Sequence, residues 1–544
     1  MIAPPIQARL SDFLTCAARA GEESAASALL SDAAVRSLDA TACGELADAL
    51  LRTGHAATAL ALLDGAMRSD PGCVDLHYQR GNALRMLGQS QSAEEELRHV
   101  LQRNPAHRDA AYSLAYLLRE QARTRSACAA MAALADARQD DRDVTVAALQ
   151  FLVESDDYAA AGELAARGAS RWPRDAVLRT LAGTIALALG EFATAREHFH
   201  AALDLDPAQG AAWLRLAQCQ RYAHGDDPDV ARFRSAWASA DLPRTPRTCA
   251  GFALGKALDD LGDFAGAART YREANAIAAE DATWDSVAWS RFVDAQLSAA
   301  KLPQPALDPG FVPVFIVGLP RSGTTLLASQ LARHGGVRDA GELAWIPAMY
   351  ARLQELDRLR DPGALAQVAR MVAAHMRREE TPVPGWIIDK NPLNFRHINL
   401  IAALFPNARV LHCRRNLRDV ALSIWQQHFA HADLAFSYRF EWIAQFFLGH
   451  ERLMKHWSST SGLSWLEVRY EDVVGDTAAE VARVAGFLGV PKAAATPAPG
   501  ARAIATASVW QARQSIHSRS VGRWKHYAAA LPELERLFPD AEHL

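Results

Sequence analysis

No run of eighteen or more apolar residues occurs anywhere in the 544-residue chain, so no segment is expected to cross a membrane as a helix. Met1 to Ala20 lacks a basic stretch followed by a continuous apolar core, so no secretory signal is expected. Cysteine is sparse. The seven present (Cys16, Cys43, Cys73, Cys128, Cys219, Cys249, Cys413) are odd in number, widely scattered and free of any CxxC pair. That pattern predicts free thiols in a reducing cytoplasm and supports neither a zinc site nor a disulfide frame. Neither sign of charge dominates. A formal net charge of −4 excludes a strongly basic nucleic-acid binder but leaves room for a local basic pocket that takes a small anion.

What is present is helix-forming and long. Half the residues are apolar and 22% are charged, which excludes global disorder. Alanine is abundant while glycine and proline are ordinary, which tilts the chain toward helix. At roughly 100–200 residues per domain, the length implies two to four domains.

The first half repeats. Pro71, Pro105, Pro173 and Pro207 stand 34, 68 and 34 residues apart, with Gln139 in the skipped slot. Ala59, Ala93, Ala127, Ala161 and Ala195 keep the same 34-residue step, and Gly54, Gly88 and Gly190 fall in phase at the turn position. Small residues at a helix crossing let two backbones approach, while Gly and Pro stop each helix so that the chain reverses. One helix pair cannot bury its apolar face alone, so several must stack. The unit resembles the tetratricopeptide repeat. It is clearest at Val74–His107 and Asp175–Gln209, with a later unit near Thr248–Ile277, and the phase is lost between about Tyr222 and Arg247. The resemblance implies a surface for a protein or peptide partner; a brace for the second domain and a homodimer contact are the competing roles.

Lys301-Leu-Pro-Gln-Pro-Ala-Leu-Asp-Pro-Gly310 breaks the periodicity with three prolines and a glycine and reads as a linker. Beyond it the pattern changes. Val312–Val317, Gly385–Ile388, Arg409–His412 and Trp465–Val468 are short apolar runs separated by helical stretches, the first of them from about Thr324 to His334. Alternation of this kind predicts a parallel sheet covered on both faces, with ligands beyond the carboxyl ends of its strands. The expected architecture is therefore α followed by α/β: an all-α repeat superhelix over residues 1–300, a linker over 301–311 and a P-loop-like α/β domain over 312–544.

Gly318-Leu-Pro-Arg-Ser-Gly323-Thr324-Thr325 has the GxxxxG spacing of a Walker loop between a strand and a helix, an arrangement whose N–H groups cradle anions. The usual lysine is missing. Thr324 occupies its place, and Arg321 supplies a cation from within the loop. No Walker-B-like acidic strand end is read downstream, which disfavours magnesium-dependent nucleotide hydrolysis.

Pro320-Arg-Ser-Gly-Thr-Thr325 resembles the 5′-phosphosulfate loop of sulfotransferases, enzymes that use 3′-phosphoadenosine 5′-phosphosulfate. His412-Cys-Arg-Arg415 through Ser423 resembles their 3′-phosphate motif, with the family's eight-residue step from Arg415 to Ser423. Ser520-Val-Gly-Arg523-Trp524-Lys525 is similar to the loop that closes over the nucleotide, and Tyr470 to a tyrosine that contacts adenine in the tyrosylprotein branch. With the repeats in front, the chain looks like the bacterial tetratricopeptide-repeat sulfotransferases. The resemblance implies that Pro320, Arg321, Ser322, Gly323, Thr324, Thr325, Arg415, Ser423, Tyr470, Ser520, Val521, Gly522, Arg523, Trp524 and Lys525 bind this donor, with no metal.

Sulfuryl transfer needs a base for the acceptor hydroxyl and cations for the developing charge. Glu342 follows Thr325 by seventeen residues, the position of the catalytic Glu in tyrosylprotein sulfotransferases. The resemblance makes Glu342 the base and sets Lys390, in Asp389-Lys-Asn-Pro392, beside the transferred group with Arg321. Asp389 is expected to orient Lys390. His334, His397, His412 and His428 are rival bases, and Trp345, Trp425, His428 and Phe429 are candidate acceptor-lining residues. Two departures matter: animal tyrosylprotein enzymes carry arginines where this chain has Gln427 and Ala344. Protein tyrosine, a saccharide and a small metabolite all stay open as acceptors. A nucleotide kinase-like enzyme and a repeat scaffold with an inactive transferase half are the rival readings.

Overall fold

The computed structural model describes residues 4–379, 381–429, 431–491 and 518–538. The chain divides into two compact units, Met1–Asp157 and Tyr158–Leu544.

The first unit is all helix. After a leading group of helices, Ala40–Arg52 packs on Ala56–Ala66, Val74–Met86 on Ser90–Arg103, and Arg108–Glu120 on Thr124–Ala137; Arg142–Glu154 follows. The in-phase alanines sit where the backbones touch, since Ala59, Ala93 and Ala127 are wholly buried. At Gly81 an added Cβ would meet Leu97 Cγ at 2.9 Å, so that helix contact requires glycine. The turns explain the period's apparent gaps. Gly54 and Gly88 have φ of +88° and +73°, and Ala122 and Asp156 hold the same left-handed turn at +62° and +61°. The backbone keeps its step where the glycine signal lapses, at the steric cost a Cβ carries in that region.

The second unit begins with more of the same hairpins, Tyr158–Arg171 with Ala176–Leu189 and then Phe192–Leu205, followed by Gly210–Gln218. The out-of-phase stretch holds one helix, Pro228–Ala238, whose N-cap Asp227 accepts from Asp229 N–H. Regularity returns with Arg244–Asp260 and Phe264–Asp281, where a Cβ at Gly255 would meet the Tyr271 ring at 2.7 Å. Gly183 and Phe199 repeat that contact, with the same sixteen-residue separation as Gly81 and Leu97.

Residues 301–309 carry neither helix nor strand. The sheet follows, with strands β1 (Val312–Gly318), β2 (Val337–Asp339), β3 (Trp386–Asp389), β4 (Arg409–Arg414) and β5 (Ser464–Arg469). All pair in parallel, in the order β2-β3-β1-β4-β5. Alternation along β1 sends Val314 and Ile316 to one apolar layer and Phe315 and Val317 to the other. Double burial of this kind is why β1, β3 and β4 read as continuous apolar runs. β2 was not anticipated: three residues, Val-Arg-Asp, carry no apolar run of their own. The chain leaves β1 toward β3 and β2, then crosses to β4, so β1 and β4 flank the point where connections diverge. Among the described residues no helix is long and apolar enough to cross a membrane.

Candidate functional site

The loop after β1 forces its shape on the chain. Gly318 has φ +148°, and a Cβ there would collide with the carbonyl of Cys413 on β4. Gly323, at φ +96°, precedes the helix Thr324–Leu331, and its Cβ would meet Tyr470 Cδ2 at 2.5 Å. Arg321 between them is itself left-handed, at φ +71°. The turn therefore lies tight against β4 and Tyr470, with the helix's unpaired first N–H groups behind it.

Cations converge on that turn. Arg321 Nε donates to Ser423 Oγ at 3.0 Å, and Arg415 Nη1 donates to the carbonyl of Arg321 at 3.1 Å. Arg415 also donates to Ser520 O at 2.6 Å and lies 4.5 Å over the Tyr470 ring. Burial, and then repulsion from Arg415, pulls Arg321 down to about 10, while Tyr470 and Glu342 act the other way. Two buried polar atoms here have no hydrogen-bond partner, Ser322 Oγ and Arg415 Nε. Orphaned buried donors at a cationic turn suit an incoming anion, since leaving them unmade costs about 1–3 kcal/mol each.

A second cluster stands at the carboxyl end of β3. Lys390, 3% exposed, donates from Nζ to Glu342 Oε1 at 2.6 Å, while the Glu342 side chain is 55% exposed. The lysine thus fixes an accessible carboxylate from the interior. Asp389 behaves differently from the expected orienter of Lys390. Its carboxylate accepts from Leu343 N–H at 3.3 Å and Asn394 Nδ2 at 2.9 Å, so it holds the strap that carries Glu342. Asn391 Nδ2 donates to Leu343 O at 3.0 Å and pins the same strap. Burial pushes Asp389 up to about 7. This residue also corrects the motif reading of the strand ends, because an acid does close the strand beside β1, with both oxygens engaged by the protein.

The segment Ser518–Tyr527 completes the site. Asp419, 1% exposed and in the first turn of Leu417–Trp425, accepts from Gly522 N–H at 2.7 Å and Trp524 N–H at 2.9 Å. Arg418 lies 4.5 Å over the Trp524 ring. Trp524 is buried, whereas Val521 and Lys525 face outward.

The structure therefore gathers Arg321, Gly323, Arg415, Ser423, Tyr470 and Ser520 into one cluster and Glu342 with Lys390 into another. The rival histidines differ in their surroundings: His334 has a buried Nδ1 without a hydrogen-bond partner, and His428 lines the same cavity as Arg321. His397, pushed down to about 3 by burial, packs against the Tyr350 ring at 4.5 Å; His412 faces Glu467 at 3.5 Å; His428 lies edge-on to Phe252. Trp425 is core, stacked on Phe440, and Trp345 stacks on His375. Asp419, Asn391 and Asn394 escaped the sequence reading. Their role lies in backbone contacts across more than a hundred residues, or in a local strap that no spacing motif describes.

Residues 313–494 match the model described as "Sulfotransferase family", and residues 74–107 match "Tetratricopeptide repeat". An uncharacterized protein of Aquifex aeolicus is 27% identical over 436 residues, covering 74% of this chain and 55% of its own length. Protein-tyrosine sulfotransferase 1 of Mus musculus is 32% identical over 111 residues, 18% of this chain and 30% of its own. Protein-tyrosine sulfotransferase A of Caenorhabditis elegans is 26% identical over 189 residues, 33% of this chain and 50% of its own. The chain thus spans between about a third and just over half of these curated relatives. Among solved structures, YrrB, titled a TPR protein with an unusual peptide-binding site, is 20% identical over 32% of this chain and 90% of its own, with a TM-score of 0.26. The chain therefore joins a helical repeat region to a parallel α/β region, and residues 313–494, which carry the Gly318–Gly323 turn and the Glu342–Lys390 pair, match the sulfotransferase family.

Proposed function

We propose that the protein transfers a sulfuryl group from 3′-phosphoadenosine 5′-phosphosulfate to a hydroxyl acceptor, with protein tyrosine the first acceptor to test. The observation that carries this reading is the pairing of an accessible Glu342 carboxylate with a buried Lys390 beside the Arg321–Ser423–Arg415 turn. The orphaned Ser322 Oγ and Arg415 Nε and the glycine-lined turn suit the donor's two anionic ends. Pro320 to Thr325 would hold the 5′ end and Arg415 with Ser423 the 3′-phosphate. Tyr470 would lie against the base, and Ser520 to Lys525 would close the site. When bound, the donor supplies the sulfuryl group and a bisphosphate leaving group.

The chain's own residues then do three things. Glu342 takes the acceptor hydroxyl's proton on the oxygen that Lys390 leaves open. Lys390 and Arg321 keep positive charge beside the position where negative charge grows. The turn fixes orientation, the dominant contribution expected for a group transfer of this kind. Repeats of this type suggest protein–protein interaction, and recruitment of a protein acceptor is the role proposed for them here. The names of the mouse and worm relatives support tyrosine. Gln427 and Ala344, where those enzymes carry arginines, keep a saccharide or small metabolite in play.

Calorimetry with 3′-phosphoadenosine 5′-phosphate tests the donor assignment. Wild type should bind and Arg415→Ala should not, and absence of wild-type binding would end the enzyme reading. Incubating labelled donor with cell lysate, then separating protein, glycan and small-molecule fractions, identifies the acceptor class. Binding without transfer to any fraction would favour the inactive scaffold.

A further inference from the structure

The closing segment is held from three directions, and one of them is the repeat region. Arg415 grips Ser520 O, and Asp419 grips the N–H groups of Gly522 and Trp524. Both anchors belong to the β4 side of the anion site. The third is Asp259, near the end of the repeat helix Arg244–Asp260, whose carboxylate accepts from the Arg523 guanidinium through one oxygen and from the Tyr527 hydroxyl through the other. Tyr527 is fully buried and accepts in turn from Gln426 Nε2 at 2.9 Å, on the residue that ends the Ser423 helix. Phe264 of the next repeat helix stacks on His526 at 4.8 Å.

The neighbouring acid shows what a purely internal role looks like. Asp260 accepts from Lys256 Nζ at 2.6 Å and from Tyr222 N–H at 3.1 Å, all within the repeats. Asp259 instead spends both oxygens on the closing segment. A buried carboxylate is tolerated only when paired and hydrogen-bonded, so its two donors and the segment's position are mutually required. A cavity of about 500 Å³ opens at this junction, walled by Phe252, Lys256 and Asp259 of the repeats and by Arg321, Ser520 and Val521 of the anion site.

We propose that the repeat helix Arg244–Asp260 is part of the donor site. Asp259 is a positioning residue that holds Arg523 and Tyr527, and with them Ser520–Trp524, in the conformation that closes over a nucleoside bisphosphate. The repeats then set donor affinity directly, in addition to any partner they recruit. The identity of the ligand rests on the proposed function, while the clamp rests on the contacts above.

The test measures 3′-phosphoadenosine 5′-phosphate affinity by calorimetry, and donor KM and kcat with any acceptor found, on full-length chain. Asp259→Asn should weaken binding by about tenfold or more, as expected for losing a charge-assisted pair, and should raise donor KM with little change in kcat. Tyr527→Phe removes one donor from the segment's side and should weaken binding by a smaller factor, which keeps the test usable if Asp259→Asn fails to fold. Arg272→Ala breaks the nearby Arg272–Glu533 bridge at 2.7 Å without touching the segment, and should leave affinity unchanged. Wild-type affinity in both Asp259→Asn and Tyr527→Phe, or an equal loss in Arg272→Ala, would overturn the clamp. A wild type that does not bind the nucleotide at all removes the sulfotransferase reading, and this inference with it.

Discussion

Replacing Glu342 by Gln separates chemistry from binding more cleanly than any other change at the site. The amide keeps the side chain's length, and its oxygen can still accept from Lys390 Nζ, now 2.6 Å from Glu342 Oε1. What disappears is a negative charge and a proton acceptor. Unit charges about 4 Å apart attract by about 4 kcal/mol at an effective dielectric near 20. Because the Glu342 side chain is 55% exposed, water screens that attraction, leaving about 1 kcal/mol of stability at stake. The kinetic effect should be far larger, since a positioned base contributes roughly a hundredfold to ten-thousandfold. Purified Glu342→Gln, assayed with saturating labelled donor, should show kcat reduced by more than about a hundredfold. Its affinity for 3′-phosphoadenosine 5′-phosphate should stay within about threefold of wild type, well under 1 kcal/mol. Lys390→Met alone and the Glu342→Gln/Lys390→Met double variant complete a cycle, in which the two losses should be far from additive if the pair works as a unit. Undiminished kcat in Glu342→Gln would refute the base assignment. A large loss of nucleotide affinity with normal kcat would reassign the carboxylate to ligand positioning.

Other outcomes follow from the same geometry. Gly323→Ala must adopt φ +96° with its Cβ 2.5 Å from Tyr470, so it should lose about 1–3 kcal/mol in urea denaturation and weaken nucleotide binding. A partial recovery of the urea midpoint when Gly323→Ala is made in a Tyr470→Ala background would tie that part of the loss to the collision, the strain of φ +96° remaining. Gly183→Ala meets the Phe199 ring at 2.7 Å in a repeat hairpin and should destabilise by about 1–3 kcal/mol without changing donor affinity; an unshifted urea midpoint would contradict the packing argument. Asp389, raised from 3.8 to about 7, binds its proton more tightly folded than unfolded. Its contribution to stability should therefore fall as pH rises from about 4 to 7, by at most about 1.4 kcal/mol per pH unit. In Asp389→Asn that component should vanish from stability measured across this range, and an unchanged pH slope would show that the proton resides elsewhere.

The repeats were legible because their signal is local: a 34-residue step in small and turn residues needs only the chain's own spacing. Even where Ala122 and Asp156 interrupt the glycines, the flanking residues carried the phase. Four of the five strands were legible: β1, β3 and β4 as apolar runs because they are buried on both faces, and the edge strand β5 through Trp465, Leu466 and Val468, of which Val468 is buried. β2 was hidden, since three residues at a sheet edge follow their neighbour's register and need no apolar pattern. The anion turn was readable for the opposite reason, as Gly318 and Gly323 are each required by one close approach. Asp419 and Asp259 were not readable. Their partners lie 103 and 264 residues away, and nothing in the local sequence of an acid says which distant N–H or guanidinium it will meet.

Those long separations bear on when the site can exist during synthesis. Helix hairpins whose partners lie within a few tens of residues can form as they emerge, and β1 to β4 can assemble once residue 414 is available. The segment that reaches Asp259, Arg415 and Asp419 is made after the repeats and the sheet, and its contacts span 103 to 268 residues. A chain stopped before residue 518 can therefore carry folded repeats and a folded sheet while lacking the Ser518–Tyr527 wall of the proposed donor site. Binding of the proposed donor would then require that synthesis has passed Tyr527.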